Sequence, residues 1–249
     1  MDAAEIFVNP DAEPKIGYLV MNSFLETSRA ELTSAFETFE EGEITDLILD
    51  LRYNTGGRVS VAAHLASLIV GNALAGQLFY EFEFNDKNPD PNERLLFEST
   101  EFDLGLSRVA VLVTEDTASA AEIVISGLQP YLDVVIFAPK TTVAPTTIGQ
   151  PFMSRAEDRC GLRLNIVRAE GYNAERSSVV GGLTAQCCAD DDITVDWGSS
   201  IRFDDMVWDA IVFIAGDPCS SCASFGSVPE DESRIGRLFE LPVGGAQLD

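Results

Sequence analysis

Ser119 is the residue whose place in the sequence best fits nucleophilic chemistry. Val109–Val113 is a short apolar run typical of a strand buried on both faces, and Ala118–Leu128 follows with helical periodicity. A serine at such a turn has its hydroxyl beside the first, unpaired backbone N–H groups of the helix. A nucleophile and part of an oxyanion hole can therefore share one loop. The alternative is structural, with Asp116, Thr117 or Ser119 serving only as a helix cap.

A second candidate loop is the segment Asn54-Thr55-Gly56-Gly57, which lies between an apolar strand pattern and an apolar helix pattern. A glycine pair in this position lets the backbone come close to a ligand. The segment is too short for a Walker loop and lacks the spacing of a dinucleotide fingerprint, so it gives little support for phosphate binding. A plain tight turn is the alternative.

The elements that must hold these loops alternate between strand and helix. The predicted strands are Lys15–Phe24, Thr45–Leu51, Gln77–Phe84, Arg108–Thr114, Asp133–Ala138 and Leu162–Arg168, and the predicted helices run from a capping box at Ser28 to Gly42, across Val61–Ile69, across Ala118–Leu128 and across Met206–Ile214. Segments 1–14, 85–92, 139–151 and 169–189 are expected to be irregular. This alternation predicts an α/β fold with a mostly parallel sheet, in which ligands bind beyond the carboxyl ends of the strands. Gly56-Gly57 and Ser119 both follow such ends.

Composition narrows the classes of function. The chain has 249 residues, 46% of them hydrophobic, and a formal net charge of −25. So negative a protein repels nucleic acid and anionic membrane surfaces. No apolar run reaches the roughly 18 residues of a membrane span. Residues 1–5 show neither a basic nor an apolar region, so no signal peptide is recognised.

The five cysteines are Cys160, Cys187, Cys188, Cys219 and Cys222. An odd number leaves at least one without a partner in the chain. With a single histidine and with Cys187 and Cys188 adjacent, a zinc site is disfavoured, and no metal is predicted. One or two disulfides that join Cys160 or the Cys187-Cys188 pair to another segment are favoured over free thiols.

His64 is the only histidine and hence the only candidate for a Ser-His-Asp triad. It lies about a quarter turn from the centre of its helix's apolar stripe. A solvent-facing or rim histidine is therefore expected. Glu122, one turn after Ser119, is either a carboxylate favoured by the helix dipole or a polar neighbour of the catalytic group.

Three segments together resemble a known family: GYLVMNSF, then LILDLRYNTGG, then VAVLVTEDTASAAEIVISGLQPYLDVVIFAPKTT. In this order they are similar to the C-terminal processing (tail-specific) serine proteases, across roughly residues 15–215. The resemblance implies a core related to ClpP and crotonase, with a smaller C-terminal region that contains strands. It divides the chain into an irregular segment 1–14, a peptidase core 15–215 and a tail 216–249, with no PDZ domain visible.

The resemblance also assigns roles. It implies Ser119 as the nucleophile, with the backbone N–H groups of Ala120 and of Gly57 as oxyanion donors beside Gly56. The family's general base is a lysine that follows the serine after one helix and one strand, with an orienting glutamine that corresponds to Gln150.

The lysine is missing. Counting without gaps from Ser119 reaches Ala144, and counting back from Gln150 reaches Thr146. Lys140 is a third, displaced possibility. Without a base the serine hydroxyl is a weak nucleophile, so activity should fall by orders of magnitude. Either Ala144 replaces a lysine of the parent protein, or the chain is naturally inactive.

The sequence therefore predicts a serine endopeptidase scaffold that binds an extended peptide or protein C-terminus as a strand beside the sheet edge. No cofactor is implied. The alternative is a non-catalytic peptide- or ligand-binding protein on the same scaffold. The cysteines and the family favour a periplasmic or extracellular, bacterial location.

Overall fold

The structure is a computed structural model, and it describes residues 3–9, 12–83, 93–139, 142–143, 149–155, 162–168, 170–178, 182–191 and 204–222. The strands are β1 Ala3–Asn9, β2 Ala12–Val20, β3 Asp46–Asp50, β4 Leu78–Glu83, β5 Glu93–Leu96, β6 Arg108–Leu112, β7 Asp133–Ala138, β8 Thr142–Val143, β9 Gly149–Arg155, β10 Leu162–Arg168, β11 Glu170–Tyr172, β12 Leu183–Thr184 and β13 Cys187–Cys188. The helices are α1 Ser28–Glu41, α2 Val59–Val70, α3 Ala120–Leu128 and α4 Asp205–Ile214, with one 3-10 turn at Asn72–Leu74.

The main sheet has six strands in the order β1-β2-β3-β6-β7-β13. Only the β1–β2 pair is antiparallel, and the four other pairings are parallel. Three smaller sheets pair β4 with β5 and β11, β9 with β10, and β8 with β12. The expected α/β fold with a mostly parallel central sheet flanked by helices is confirmed. Because β3 and β6 are parallel neighbours, the loops that follow them start at the same edge of the sheet.

The main sheet separates two apolar cores. Along each strand, successive side chains point to opposite faces, so Leu47 and Leu49 of β3 pack with helices α1, α2 and α3, while Ile48 packs with α4. The strands are covered on both faces and read as continuous apolar runs for that reason. The two candidate loops follow strands β3 and β6 of this covered sheet.

Several sequence predictions need correction. Within segment 1–14, which was expected to be irregular, residues 3–9 and 12–14 are in strands, because β1 pairs with β2. The first core strand ends at Val20, although Lys15–Phe24 was predicted. Helix α1 starts at Ser28, with Thr27 as its N-cap and without a side-chain cap hydrogen bond, so the capping box at Ser28 is wrong. Segments 139–151 and 169–189, expected to be irregular, contain β8 and the start of β9, and β11 to β13.

Two disulfides join the edge strand β13 to the segment that follows α4. Cys187 bonds to Cys219 and Cys188 to Cys222, with Cα–Cα separations of 5.5 and 4.8 Å. The predicted disulfides are confirmed for the Cys187-Cys188 pair, whereas Cys160 lies outside the described residues. Cys219 and Cys222, within the predicted tail 216–249, are therefore covalently joined to the edge of the main sheet.

No helix in the described part of the chain is both long and apolar enough to span a bilayer.

Candidate active site

Ser119 immediately precedes α3 and occupies its N-cap position. An ordinary N-cap has a β-region backbone, but Ser119 has φ +59° and ψ −115°. A positive φ in a residue other than glycine is strained, and such strain persists where surrounding structure enforces it. The side chain is partly exposed, while the next residue, Ala120, is fully buried. Capping alone does not account for this backbone, so the strain itself marks Ser119 as a functional candidate.

The glycine loop lies directly against the Ser119 turn. A Cβ atom at Gly56 would be 2.7 Å from Cβ of Ser119, 2.8 Å from the carbonyl oxygen of Ala118 and 2.9 Å from the backbone nitrogen of Ala120. Only a residue without a side chain fits at such a distance, and Gly56 also has φ +99°. The structure therefore brings together the two loops that the sequence singled out.

Two backbone N–H groups near Ser119 are left unpaired. Gly57 forms a parallel bridge with Phe24, in which the carbonyl of Gly56 and the N–H of Arg58 make the hydrogen bonds. The N–H of Gly57 itself therefore points away from Phe24. The N–H of Ala120 is one of the first donors of α3, which have no partner within the helix. Among the described residues, neither N–H donates a hydrogen bond.

Asn54 fixes the loop between β3 and α2. It is fully buried, and its side-chain nitrogen donates to the carbonyl of Met21 while its side-chain oxygen accepts the N–H of Gly56 at 2.8 Å. Its backbone carbonyl accepts the N–H of Ala118 at 2.9 Å. The side chain and the backbone of one buried residue thus together tie the glycine loop to the Ser119 turn, a role that the sequence analysis missed.

Glu122 is completely buried, although it carries a carboxyl group. Its Oε2 accepts the backbone N–H of Ser119 at 2.7 Å. This contact fixes the strained residue and places a carboxylate at the helix N-terminus, where the helix dipole favours negative charge. Both alternatives from the sequence are compatible with that position.

A buried ionic cluster at the end of β3 was not foreseen. The guanidinium of Arg52 donates to Asp50, Asp191 and Asp204, with closest N–O distances of 2.6, 3.0 and 2.6 Å. Burial alone would lower the pKa of Arg52, but the hydrogen bonds and charges of Asp50 and then Asp204 outweigh it and raise the pKa. Tyr18 also donates to Asp50 at 2.8 Å. The one local signal was an arginine two residues after an aspartate at a strand end.

His64 has its own partners away from Ser119. Its Nδ1 lies 2.9 Å from Oε2 of Glu98, and its Nε2 lies 3.3 Å from Oγ1 of Thr33. The side chain is 13% exposed, so the ring is mostly covered between α1 and α2 rather than solvent-facing. Burial opposes ionisation of Glu98, but hydrogen bonds from His64 and Arg29 prevail and hold the pKa of Glu98 below its ordinary value. His64 is thus engaged in a structural contact.

The positions that concern the general base lie mostly outside the described residues. This holds for Lys140, Ala144 and Thr146. Gln150 is the second residue of β9, and its backbone pairs with Val167 of β10. Their expected roles therefore stay predictions.

The candidate site belongs to a protein of known family. The model of peptidase family S41 matches residues 15–177, which is more than half of the chain and includes both loops. The chain therefore belongs to peptidase family S41.

Individual proteins are similar to this chain. The carboxy-terminal processing protease CtpA of Bacillus subtilis is 29% identical over 147 residues, which cover 57% of this chain and 28% of that protein. A Bacteroides fragilis protein whose crystal structure carries an S41 protease name is 28% identical, with a TM-score of 0.73 over 86% of this chain and 57% of that one. The photosystem II D1 C-terminal processing protease, at 18% identity and a TM-score of 0.57, covers 75% of this chain and 45% of its own and shows the shared fold. The chain thus spans about a quarter of the CtpA relative's length.

Proposed function

We propose that the chain carries the catalytic core, residues 15–215, of a serine endopeptidase of the C-terminal processing type. Ser119 is the nucleophile, and the backbone N–H groups of Gly57 and Ala120 form the oxyanion hole. The observation that carries this proposal is the contact between Gly56 and Ser119, which brings a partly exposed serine against the loop that contains Gly57. Within the described part of the chain, the N–H groups of Gly57 and Ala120 donate no hydrogen bond. Membership of peptidase family S41 supports the reaction class.

In the proposed reaction, Oγ of Ser119 attacks the carbonyl carbon of the peptide bond. The oxyanion that develops accepts hydrogen bonds from the two backbone N–H groups. These hydrogen bonds are strongest at this stage of the reaction. A base takes the hydroxyl proton of Ser119 and passes it to the departing amine, and water then hydrolyses the acyl-enzyme to release the second product. Glu122 and Asn54 take no part in the bond changes. They hold the backbone of Ser119 and Gly56 in place before the substrate binds.

The step that this chain performs poorly is removal of the hydroxyl proton. Family members use a lysine whose pKa is lowered by desolvation. Alanine stands at position 144 and no lysine or arginine lies within 141–154, so we propose that turnover is lost while the oxyanion hole and peptide groove are kept. Gln150 is then left without the base it would orient.

The proposed substrate is an extended peptide or a protein C-terminus, bound by strand addition. Two disulfides among the described residues support an oxidising compartment, periplasmic or extracellular. The strongly negative charge disfavours nucleic acid as a partner.

A second candidate function is non-catalytic binding of a peptide or other ligand on the same scaffold. The alanine at position 144 favours it directly. In that case the strained Ser119 and the glycine loop would contact the ligand without forming a covalent bond.

Peptide boronic acids test the proposal without requiring turnover. A boronate forms a tetrahedral adduct with a serine hydroxyl and places an oxygen in the oxyanion hole. We expect a peptide boronic acid to bind at least about ten-fold tighter than the matching peptide amide, because transition-state analogues gain contacts that the ground state lacks. This advantage should vanish in Ser119→Ala. Equal affinities of the boronic acid and the amide for the unchanged chain would contradict Ser119 as the nucleophile. They would support the alternative of a non-catalytic binding protein.

A further inference from the structure

We propose that Arg52 is a positioning residue, through which the disulfide-linked C-terminal segment holds the Asn54–Gly57 loop in place against Ser119. The inference rests on the proposed function, because Gly57 is the oxyanion donor that would be positioned. It assigns a role in the active site to residues that come more than 70 positions after Ser119.

Arg52 lies between strand β3 and the glycine loop. It lies two residues after the end of β3 and two residues before Asn54, so it forms the base of the glycine loop. Its side chain is only 1% exposed. Nε donates to Asp50 of its own strand end, while Nη1 and Nη2 reach Asp191 and Asp204. One rigid guanidinium thus joins the start of the loop to two segments from the end of the chain.

Asp191 also binds the residue next to Arg52, which is Tyr53. The hydroxyl of Tyr53 donates to one oxygen of Asp191, and Arg52 donates to the other. The backbone N–H of Tyr53 donates to Oγ1 of Thr114, which precedes the Ser119 turn, at 3.0 Å. Tyr53 has φ +61°, a strained value for a residue with a side chain. Something must hold that backbone, and the carboxylate of Asp191 is in contact with both residues concerned.

Further bonds hold the two segments that carry Asp191 and Asp204. Asp191 comes three residues after Cys188, and Asp204 is the N-cap of α4, where its Oδ1 accepts the N–H of Val207. The disulfides Cys187–Cys219 and Cys188–Cys222 connect β13, just before Asp191, to the segment just after α4. The disulfides therefore link the strand just before Asp191 to the segment that follows the helix capped by Asp204.

Hydrogen bonding explains why this cluster is sensitive to change. One guanidinium faces three carboxylates in a buried site, so the hydrogen bonds are needed to offset desolvation. If Asp191 is removed, both Arg52 and the Tyr53 hydroxyl lose an acceptor, although two carboxylates still balance the guanidinium charge. The structural change would fall on Arg52-Tyr53 and pass directly into the glycine loop.

Hydrogen–deuterium exchange on the full chain tests the clamp independently of catalysis. Three backbone N–H groups report on the loop: Tyr53 bonded to Thr114, Gly56 bonded to Asn54, and Arg58 bonded to Phe24. In Asp191→Ala we expect their exchange to accelerate about ten-fold or more, because local opening sets exchange and a charged hydrogen bond has been lost. Exchange in α1 should stay within two-fold of the parent.

Asp46→Ala is the matched control. Asp46 starts β3 and pairs with Arg108 at 2.6 Å, so this variant removes a similar ion pair from the opposite end of the same strand. It should leave the exchange of the glycine loop unchanged. Asp204→Asn is a second test that keeps an N-cap residue on α4 and removes only the charge, and it should accelerate the same loop groups.

The disulfides form a separate arm. A double variant, Cys188→Ser with Cys222→Ser, should also accelerate exchange in the loop, and unchanged exchange would overturn their part in the clamp. If Asp191→Ala leaves exchange in the loop unchanged, or accelerates exchange in α1 and the loop equally, the positioning role of Arg52 is overturned.

Boronate affinity is measured in parallel. We expect Asp191→Ala to lose boronate affinity by about ten-fold while the peptide amide binds as before. If the parent chain shows no boronate advantage, the proposed function fails, and exchange alone decides the clamp.

Discussion

Gly56 lies so close to Ser119 that a methyl group at residue 56 would come within 2.7 Å of Cβ of Ser119. The loop after β3 and the turn before α3 are therefore a single packed unit, although more than 60 residues separate them in the chain. The conformation of each depends on the other.

Gly56→Ala should disrupt the site more than its backbone conformation alone requires. The new methyl group clashes with Ser119, Ala118 and Ala120, in addition to the strain of φ +99°. We expect unfolding free energy to fall by about 2–5 kcal/mol, the sum of overpacking and backbone strain, and boronate binding to be lost. Gly76→Ala is the control, because residue 76 has φ +81° and a methyl group there meets no atom of the described residues within 4 Å. Equal losses in denaturant unfolding would show that the clash is unimportant.

The sequence predicted part of this arrangement. It placed Gly56-Gly57 and Ser119 after the carboxyl ends of strands in a mostly parallel sheet. It did not show that β3 and β6 are neighbours, which is what brings the two loops together. Strand β7 was predicted with its observed bounds, Asp133–Ala138, because it is an uninterrupted buried run. The strained backbone of Ser119 was not predictable, since it results from packing against Gly56 rather than from local preference.

The elements that the sequence did not reveal are those held by distant partners. Strand β13 consists of only two cysteines, and its pairing with β7 at the sheet edge has no local pattern. The partners Asp191 and Asp204 lie about 140 and 150 positions from Arg52 in the chain, so no periodicity could connect them. A buried arginine must find carboxylates somewhere, but the sequence does not say which.

Tyr80→Phe should leave the fold intact and raise its stability. Tyr80 is fully buried, and its hydroxyl has no hydrogen-bond partner among the described residues. Burial, and then the charge of Glu122, raise the pKa of Tyr80, so the hydroxyl keeps its proton. Removing an unpaired buried hydroxyl should add up to about 1 kcal/mol to the unfolding free energy.

Tyr18→Phe is the matched comparison for that variant. The hydroxyl of Tyr18 is also buried, but it donates to Asp50 at 2.8 Å. Its loss should cost about 1–3 kcal/mol in denaturant unfolding, because a buried carboxylate loses a donor. If both variants shift stability in the same direction, the unpaired state of the Tyr80 hydroxyl is contradicted.

Asp209 should make the protein less stable above pH 6 than below pH 4. Burial, and then the carboxylates of Asp205 and Asp190, raise the pKa of Asp209 to about 6. In the unfolded chain an aspartate has a pKa of about 3.9. Between these values the folded state binds more protons, so stability falls as pH rises from about 4 to about 6 and stays lower beyond.

Asp209→Asn removes this penalty. Solvent screening of a partly exposed group reduces the effect to roughly 1 kcal/mol, which corresponds to a rise in Tm of about 2–4 °C at pH 7. Near pH 4 the two Tm values should coincide. Asp217→Asn, at an exposed position after the same helix, controls for the change in net charge. A Tm difference that does not depend on pH would contradict the burial of an ionised Asp209.

Peptide cleavage by Ala144→Lys, compared with cleavage by the unchanged chain, tests whether Ser119 is a nucleophile that lacks only its base. A lysine desolvated beside Ser119 would have a lowered pKa and could accept the hydroxyl proton. We predict that cleavage of a fluorogenic peptide appears or rises by about 100-fold or more, and that it disappears when Ser119→Ala is added. If Thr146→Lys revives cleavage instead, the base aligns with Gln150 rather than by direct counting from Ser119. If neither lysine variant cleaves peptide, the account of this chain as a peptidase core is contradicted, and it functions as a binding protein.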